Sequence, residues 1–443
     1  MGYGLQEKPP IGITILSALQ WMIVTVSSSV AVPLAIGDIY GLSSEEVGIL
    51  MQQTMFYVGL ASFLQAWIGH RYPMIEGPAG LWWGIFIILA QIGTSAGIAP
   101  REIGQSFQLG LILAGVLFFL FGLLGWIGKI QRWFTPLVSG TYMVLLAVSL
   151  CSSFVSGMLG IGYQHAKQVD PGIALVSILI VALVLMFLRT KRFASYAVLL
   201  GMTAGWGVYA MLGWTEPIRP AAQVIVMPTL FFWGAPKWDL GVVLTSLLTG
   251  FVLLTNLVTS MNVMGKATAA PPTAGLYNRG GIFTGVSHVL SGLSGVVGMI
   301  PLSIAAAVVE TTKMAARLPF LLAMAGMMLI GLLPPISQFL AGLPTPVAYA
   351  GMFITYTQLL GFGLKDISSV ELDSRAVLVA GSSILAGIGV MFVPTTAWQN
   401  LPSFASFLFG NGLLLGVLVS MILEHLVFRK KRETKQEKDG QSV

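Results

Sequence analysis

Charge is what this sequence has least of. Its 443 residues include 17 acids and 23 Lys or Arg, 9% charged in all, where an ordinary soluble domain carries about a quarter. Lipid explains such a deficit, because a charged side chain facing hydrocarbon costs several kcal/mol. Cysteine is nearly absent as well. Cys151 stands alone, which excludes an intrachain disulfide and any structural zinc site built on cysteine. Set in an apolar run, it reads as a buried, inert thiol. The four histidines, at 70, 165, 288 and 425, are scattered and form no spaced metal set. No HExxH pair, Walker loop or nucleophile elbow falls on a suitable element. ATP hydrolysis within the chain is therefore excluded, and no enzyme is expected. The net charge of +6 is spread over short loops and the basic tail 429–443 rather than gathered on one face, so no nucleic-acid partner is expected.

What the chain has in quantity is apolar length. Hydrophobic residues make up 56%, and the mean hydropathy is +0.85. A membrane span needs about 20 apolar residues to cross about 30 Å of hydrocarbon. On that measure the sequence predicts fourteen helical segments: 13–34, 47–69, 79–93, 106–127, 136–158, 172–188, 193–213, 241–264, 281–299, 302–314, 318–338, 345–362, 376–393 and 402–427. The first run is followed by more of the same, so it reads as a span rather than a cleaved leader. The class is an all-α polytopic membrane protein.

Basic residues orient it. Arg132, Arg189, Lys191 and Arg192 are among thirteen that fall on the N-terminal side ahead of the tail, against Arg101, Lys167, Arg219 and Lys237 opposite. Positive charge collects in the cytoplasm, so both termini are expected there, in the cell membrane.

Two segments are too short for a full span. One follows Pro73-Met74-Ile75-Glu76-Gly77-Pro78-Ala79-Gly80, the other Gly298-Met299-Ile300-Pro301-Leu302-Ser303. Proline lacks an amide hydrogen and glycine tolerates unwound backbone. These are the third and tenth segments, the same place in two halves of seven. An odd-numbered half inverts its successor, and paired broken helices in inverted repeats mark a transporter's midplane site. A helix N-terminus there leaves amide donors free for a polar solute. Glycines at 104, 110, 115 and 122, and again at 281, 285 and 292, predict close helix packing.

Polar side chains in the apolar runs are candidates for binding. Gln20 lies in the first segment; Asn256, Thr259, Ser260 and Asn262 lie in the eighth. An amide offers both a donor and an acceptor, as a heterocycle's edge requires. Among the acids, Glu76 adjoins the first break and is read either as a substrate or proton acceptor, or as a partner of Arg71 or His70. Glu310 is expected to pair with Lys313 or Arg317, and Glu424 to face the headgroups.

These features together resemble the nucleobase:cation symporter-2 family, the nucleobase–ascorbate transporters that include uracil and xanthine permeases. The resemblance covers nearly the whole chain. It rests on Lys8-Pro9-Pro10 ahead of a helix bearing Gln20, on the short third and tenth segments, on Pro136 to Gly140, and on Asn411-Gly412 in the last helix. It implies fourteen segments in two inverted repeats of seven, with a short strand and half-helix in segments 3 and 10. A core domain (1–128 and 240–341) is implied to move against a gate domain (129–239 and 342–428). Family members carry a glutamate three residues before a glycine in segment 8; here Asn262-Val263-Met264-Gly265 puts Asn262 in its place. Thr312-Lys313 resemble the family's Thr-Arg pair, which sets Ser303 or Ile304 where segment 10 has its acid. Backbone near Gly77 and Gly80 matches the substrate-contacting part of segment 3. The family's two carboxylates are absent, leaving Glu76 and Glu310 as candidates for coupling to H+ or Na+, with no other cofactor. The implied activity is secondary active uptake of a nucleobase-like solute by an elevator motion. The alternatives are an anion carrier of the same fold, separable by sulfate competition, and a non-transporting sensor or scaffold, against which the short tail argues. The expected partners are a small polar substrate, the bilayer and a second copy through the gate domain.

Overall fold

The structure, a computed structural model, describes residues 2–428 other than 96, 131–132, 134, 191–192, 194–196, 216–222, 399–400, 402–404 and 406–408. Arg132, Lys191, Arg192, Arg219 and the tail 429–443, all used in the charge argument, lie outside the described residues.

Among the described residues the regular elements are helices, apart from two three-residue strands. In order it runs α1 (Ile11–Ser29), α2 (Ala31–Tyr40), α3 (Ser44–Trp67), β1 (Glu76–Pro78), α4 (Gly80–Ser95), α5 (Pro100–Leu123), α6 (Ile127–Ile130), α7 (Pro136–Met158), α8 (Pro171–Arg189) and α9 (Ala197–Met211). The second half runs α10 (Leu240–Ala267), α11 (Ala274–Ser294), β2 (Met299–Pro301), α12 (Ile304–Thr312), α13 (Arg317–Ile330), α14 (Pro334–Ala341), α15 (Thr345–Ser368), α16 (Ser374–Met391) and a last helix, Gly412–Ile422, continued by a π turn to Val427. Helix starts follow local chemistry. Ser43 and Glu46 close a capping box on α3, and Asp170, Asp239 and Asp373 cap α8, α10 and α16, each satisfying amides that the helix leaves free.

Among the described residues, eight helices are long and apolar enough to cross a membrane, with α1 and α2 counted as one, or nine if α13 and α14 count as one span bent by 86°. Each of the fourteen predicted stretches holds a helix, but not each is a full-length apolar one. The helix α11 has the length, at 21 residues, and spends its composition on glycine, serine and threonine. The helices α4, α9 and the last are shorter apolar pieces, and α12 has nine residues. Boundaries move too. The first segment continues to Tyr40 through a break at Val30. The segment expected at 302–314 is strand up to Pro301 and helix only from Ile304 to Thr312. That expected at 318–338 is two helices, because Pro334 and Pro335 cannot continue α13 and start α14 instead.

Packing falls into two sets. In the first, α5 lies against α11, α3 against α13 and α14, α10 against α5, and α1 along α13. The two glycine-rich stretches meet here. A Cβ on Gly115 would stand 2.7 Å from the Gly285 carbonyl oxygen and the Val289 nitrogen, and one on Gly122 2.7 Å from the Asn278 oxygen. Backbones approach this closely only where side chains are missing. In the second set α7 packs on α15, with Gly140 against Gly363, while α16 packs on the last helix and α8 on α9. The sets meet mainly through α2 with α15 and α4 with α7. At one such meeting the Tyr349 hydroxyl donates to Asp38 Oδ2 at 3.2 Å. The N-terminal residues form a strap: Tyr3 bridges in parallel to Met314, and the Arg317 amide donates to Leu5 O.

Three side chains depart from expectation. Cys151 is exposed rather than buried, on an outward face of α7. Glu424 is nearly buried and pairs with Arg375 at 2.9 Å, because α16 runs alongside the last helix and brings the cation within reach. Glu310 is exposed and has no ion pair among the described residues. Lys313 turns into the left-handed region (φ 57°), and the Arg317 guanidinium is spent on Leu5 O.

Candidate functional site

The two breakers do meet. The strands β1 and β2 pair antiparallel, with Glu76 opposite Pro301, Gly77 opposite Ile300 and Pro78 opposite Met299. Flanking bonds extend the ladder: Ala79 N donates to Gly298 O at 2.9 Å, and Leu302 N to Ile75 O at 2.8 Å. Each strand runs straight into a helix, so α4 and α12 start beside the crossing. The first amides of α4 lack an acceptor in their own helix, whereas Ala305 N and Ala306 N of α12 donate back to Leu302 O and Ser303 O; the dipoles of both helices add partial positive charge at the same place. Glycine is required for the fit. A Cβ on Gly298 would stand 2.7 Å from the Trp82 indole and 2.9 Å from the His288 ring, and one on Gly80 2.6 Å from Tyr356 Oη.

Consecutive residues on α4 point about 100° apart, and Trp82 and Trp83 use this to face different ways. Trp82 turns into the first packing set and donates to His288 Nε2 at 2.6 Å. Trp83 turns toward the second, stacking on Phe154 with ring centres 5.4 Å apart and lying 5.7 Å from Tyr356. Its indole Nε1 is buried with no hydrogen-bond partner among the described residues. Tyr356 of α15 thus roofs Gly80, with Phe154 of α7 at its side (4.8 Å between centres).

On the other flank α10 supports β2. Ser260 Oγ lies 2.9 Å from Pro301 O and 3.1 Å from Asn256 Oδ1, so one hydroxyl proton serves two acceptors. Asn256 sits about 40° from Ser260 around α10, on the same face, whereas Asn262 sits about 200° away. Asn262 accepts instead from the Tyr277 hydroxyl of α11. The structure therefore brings Asn256, not Asn262, beside the strand crossing. The family resemblance pointed to Asn262; the Ser260–Pro301 contact sets the helix rotation that turns Asn256 to the crossing instead.

The remaining predicted residues separate as follows. Gly77 and Gly80 lie at the crossing. Ser303 precedes α12, half-buried and with no side-chain capping bond, and Ile304 is exposed on the first turn. Gln20 is half-buried on α1, a helix that touches β1 and α13. Glu76 is on the crossing strand, but its side chain runs away from the helix starts. His70 Nε2 stands 3.2 Å from Glu76 Oε1, and both side chains have no exposure. His70 Nδ1 accepts from Tyr72 N at 3.1 Å, which leaves the ring proton on Nε2, aimed at the carboxylate. Ser62 Oγ receives the Glu76 amide at 2.8 Å, and Gln65 ties His70 N to Gly280 O and Thr284 Oγ1 of α11. No group of three or more His, Cys, Asp or Glu suited to a metal occurs among the described residues.

Known proteins resemble the chain over nearly its whole length. The permease family's profile, that of xanthine and uracil permeases, matches residues 12–396. The chain is 33% identical over 430 residues (95% of this chain, 97% of the other) to YwdJ of Bacillus subtilis, which carries a purine-permease name. It is 27% identical to the uric acid permease PucK of the same organism (94% and 95% covered), and 25% identical to its xanthine permease (97% of each). Among solved structures it is similar to the transmembrane domain of the cyanobacterial bicarbonate transporter BicA, with a TM-score of 0.62 at 15% identity, covering 95% of this chain and 99% of that one. It is also similar to the murine anion transporter Slc26a9 in its inward-facing state, with a TM-score of 0.67 at 12% identity, covering 95% and 69%. At such identities these two share the fold and nothing more. The chain belongs to the permease family of xanthine and uracil transporters, the nucleobase:cation symporter-2 family.

Proposed function

We propose that this protein carries a nucleobase-like solute, of purine type, across the cell membrane, holding it where α4 and α12 begin. The observation that carries the reading is the β1–β2 pair, which brings the first turn of α12 to the amides that open α4. A purine offers ring nitrogens and carbonyl oxygens to those amides and a flat face to aromatic side chains. Asn256 adds an amide on one flank, and Tyr356 with Trp83 and Phe154 forms an aromatic wall on the other. The whole-length similarity to xanthine and uric acid permeases supports a purine over an inorganic anion.

The fourteen helical stretches read as fourteen segments in two inverted repeats, with both termini in the cytoplasm. The first packing set (1–128 and 240–341) acts as a core carrying the solute past a gate (129–239 and 342–428), and the gate is the surface for a second copy. Transport is secondary and ion-coupled. The test is uptake of radiolabelled xanthine and uric acid into cells or proteoliposomes, with unlabelled uracil, sulfate and bicarbonate as competitors. Purine uptake that sulfate leaves untouched is expected. Uptake of neither purine, with transport of sulfate or bicarbonate instead, would sink the reading.

A further inference from the structure

We infer that the buried His70–Glu76 pair is the site that loads and releases a coupling proton, with Glu76 Oε2 as the atom that holds it. The inference rests on the transport reading above, and it puts the proton in a place distinct from the solute.

The geometry assigns the two carboxyl oxygens different tasks. Oε1 accepts from His70 Nε2–H at 3.2 Å. Oε2 is buried and has no hydrogen-bond partner among the described residues. A carboxylate oxygen shut away without a donor is costly, and the cost falls when a proton settles on it. Because Tyr72 N occupies Nδ1, the imidazole keeps its own proton on Nε2 throughout, so one proton is gained and lost at Oε2. Glu76 then alternates between carboxylate and neutral acid. An ionisable side chain inside a membrane protein is a functional candidate by default, and Glu76 is the fully buried acid among the described residues.

The surroundings leave this pair to itself. On the strand's own loop, Arg71 is exposed and Tyr72 gives its hydroxyl to Ala270 O at 2.6 Å. On α3, Ser62 and Gln65 are neutral, and Glu45 and Glu46 stand in the first turn at the far end of the helix. On α11, Arg279 is exposed, Tyr277 is engaged with Asn262, and His288 is held between Trp82 and Thr284 O. On α10, Lys266 is exposed. The helix α1 and β2 carry no titratable side chain. His70 is thus the titratable partner in contact with Glu76.

Coupling needs a link from proton to solute, and the backbone supplies it. The Glu76 amide is fixed by Ser62, its strand neighbour is Pro301, and the Pro301 carbonyl takes the Ser260 hydroxyl that also serves Asn256. A charge change at Glu76 is therefore one strand pair away from the flank that faces the solute. The pair lies just beyond the end of α3, where Arg71, the chain neighbour of His70, is exposed.

The test uses the full chain in proteoliposomes with radiolabelled xanthine and uric acid. Counterflow by the wild-type protein reports binding and carrier movement; its absence for both solutes sinks the transport reading and this inference with it. With counterflow present, a one-unit inward pH gradient is expected to drive accumulation of about tenfold, as one proton per solute requires. Glu76→Gln is expected to keep counterflow within about threefold and to abolish that accumulation, while Glu310→Gln keeps both. Gradient-driven accumulation surviving in Glu76→Gln, or driven by Na+ at constant pH, overturns the inference. If Glu76→Gln does not reach the membrane, His70→Leu decides. It removes the donor to Oε1, which disfavours the carboxylate, so the pH profile of accumulation is expected to move to the alkaline side by about half a unit or more. An unmoved profile overturns the inference.

Discussion

The arm β1–α4 and the arm β2–α12 reach the same crossing from opposite directions with side chains of different kinds. Behind β1, α4 opens with two tryptophans, and every residue from Leu81 to Ile87 is buried. Behind β2, α12 opens with isoleucine and three alanines, and Ile304, Ala307 and Glu310, spaced one turn apart, are exposed. The helix α15 shows the same contrast along its length: Pro346 to Met352 are buried, while Thr355, Thr357, Phe362 and Leu364 are exposed. One arm is thus locked into its neighbours by ring packing. The other has an exposed face, and the N-terminal strap bonds the backbone that follows it. A carrier needs both, since a rigid arm fixes the geometry of the site and a thin one leaves room for the solute to leave.

The contrast is broken most directly behind α4. Gly298→Leu drives a side chain into the Trp82 indole and the His288 ring. Overpacking of this kind costs about 1–3 kcal/mol or more, and loss of folded protein is expected in detergent thermal-shift and gel-filtration assays. Ala307→Leu on the exposed face of α12 is expected to leave both unchanged, and equal damage from the two would erase the distinction between the arms.

Next in size is Gly80→Ala, whose new methyl group would stand 2.6 Å from Tyr356 Oη. We expect normal abundance and a fall in the maximal rate of about a hundredfold, since small misplacements at a binding constellation carry such penalties. Gly80→Ala with Tyr356→Phe is expected to recover part of the rate; no recovery would place Tyr356 outside the path.

Asn256→Ala is expected to raise KM for xanthine about tenfold, the loss of a hydrogen bond or two, while Asn262→Ala changes it less than about twofold. The reverse order would return the site to the opposite face of α10. The smallest effect belongs to Tyr349→Phe, which removes the hydroxyl bonded to Asp38 where the two packing sets touch. A shift of about 0.5–1.5 kcal/mol between carrier conformations is expected, read as a change of a few fold in counterflow rate with KM nearly constant.

Much of this was legible beforehand, and for identifiable reasons. Apolar length and the breakers at Pro73–Gly80 and Gly298–Pro301 are local properties, so the helices and the interruption of segments 3 and 10 follow from composition. The glycines of α5 and α11 announced close packing, although not that they pack on each other, because nothing local states which helix meets which. The rotation of α10 was hidden for the same reason: the spacing to Gly265 favoured Asn262 by resemblance, and the Ser260–Pro301 contact turns Asn256 to the crossing instead. Glu76 was legible as important and ambiguous as to direction. His70 precedes it by six residues across a turn whose Arg71 adopts φ 62°, a backbone excursion with no glycine to signal it. The S-x-x-E box at Ser43 and the proline pair at 334–335 were present in the sequence and would have corrected two boundaries.

The strap at the start of the chain has a practical side. Tyr3 and Leu5 brace the backbone between Lys313 and Arg317, the stretch that follows directly on α12. An affinity tag or fluorescent fusion attached ahead of Tyr3 would hang its weight on that brace, whereas the same addition beyond residue 443 would leave it alone. Purification yields and activity from the two kinds of fusion should not be treated as interchangeable for this protein.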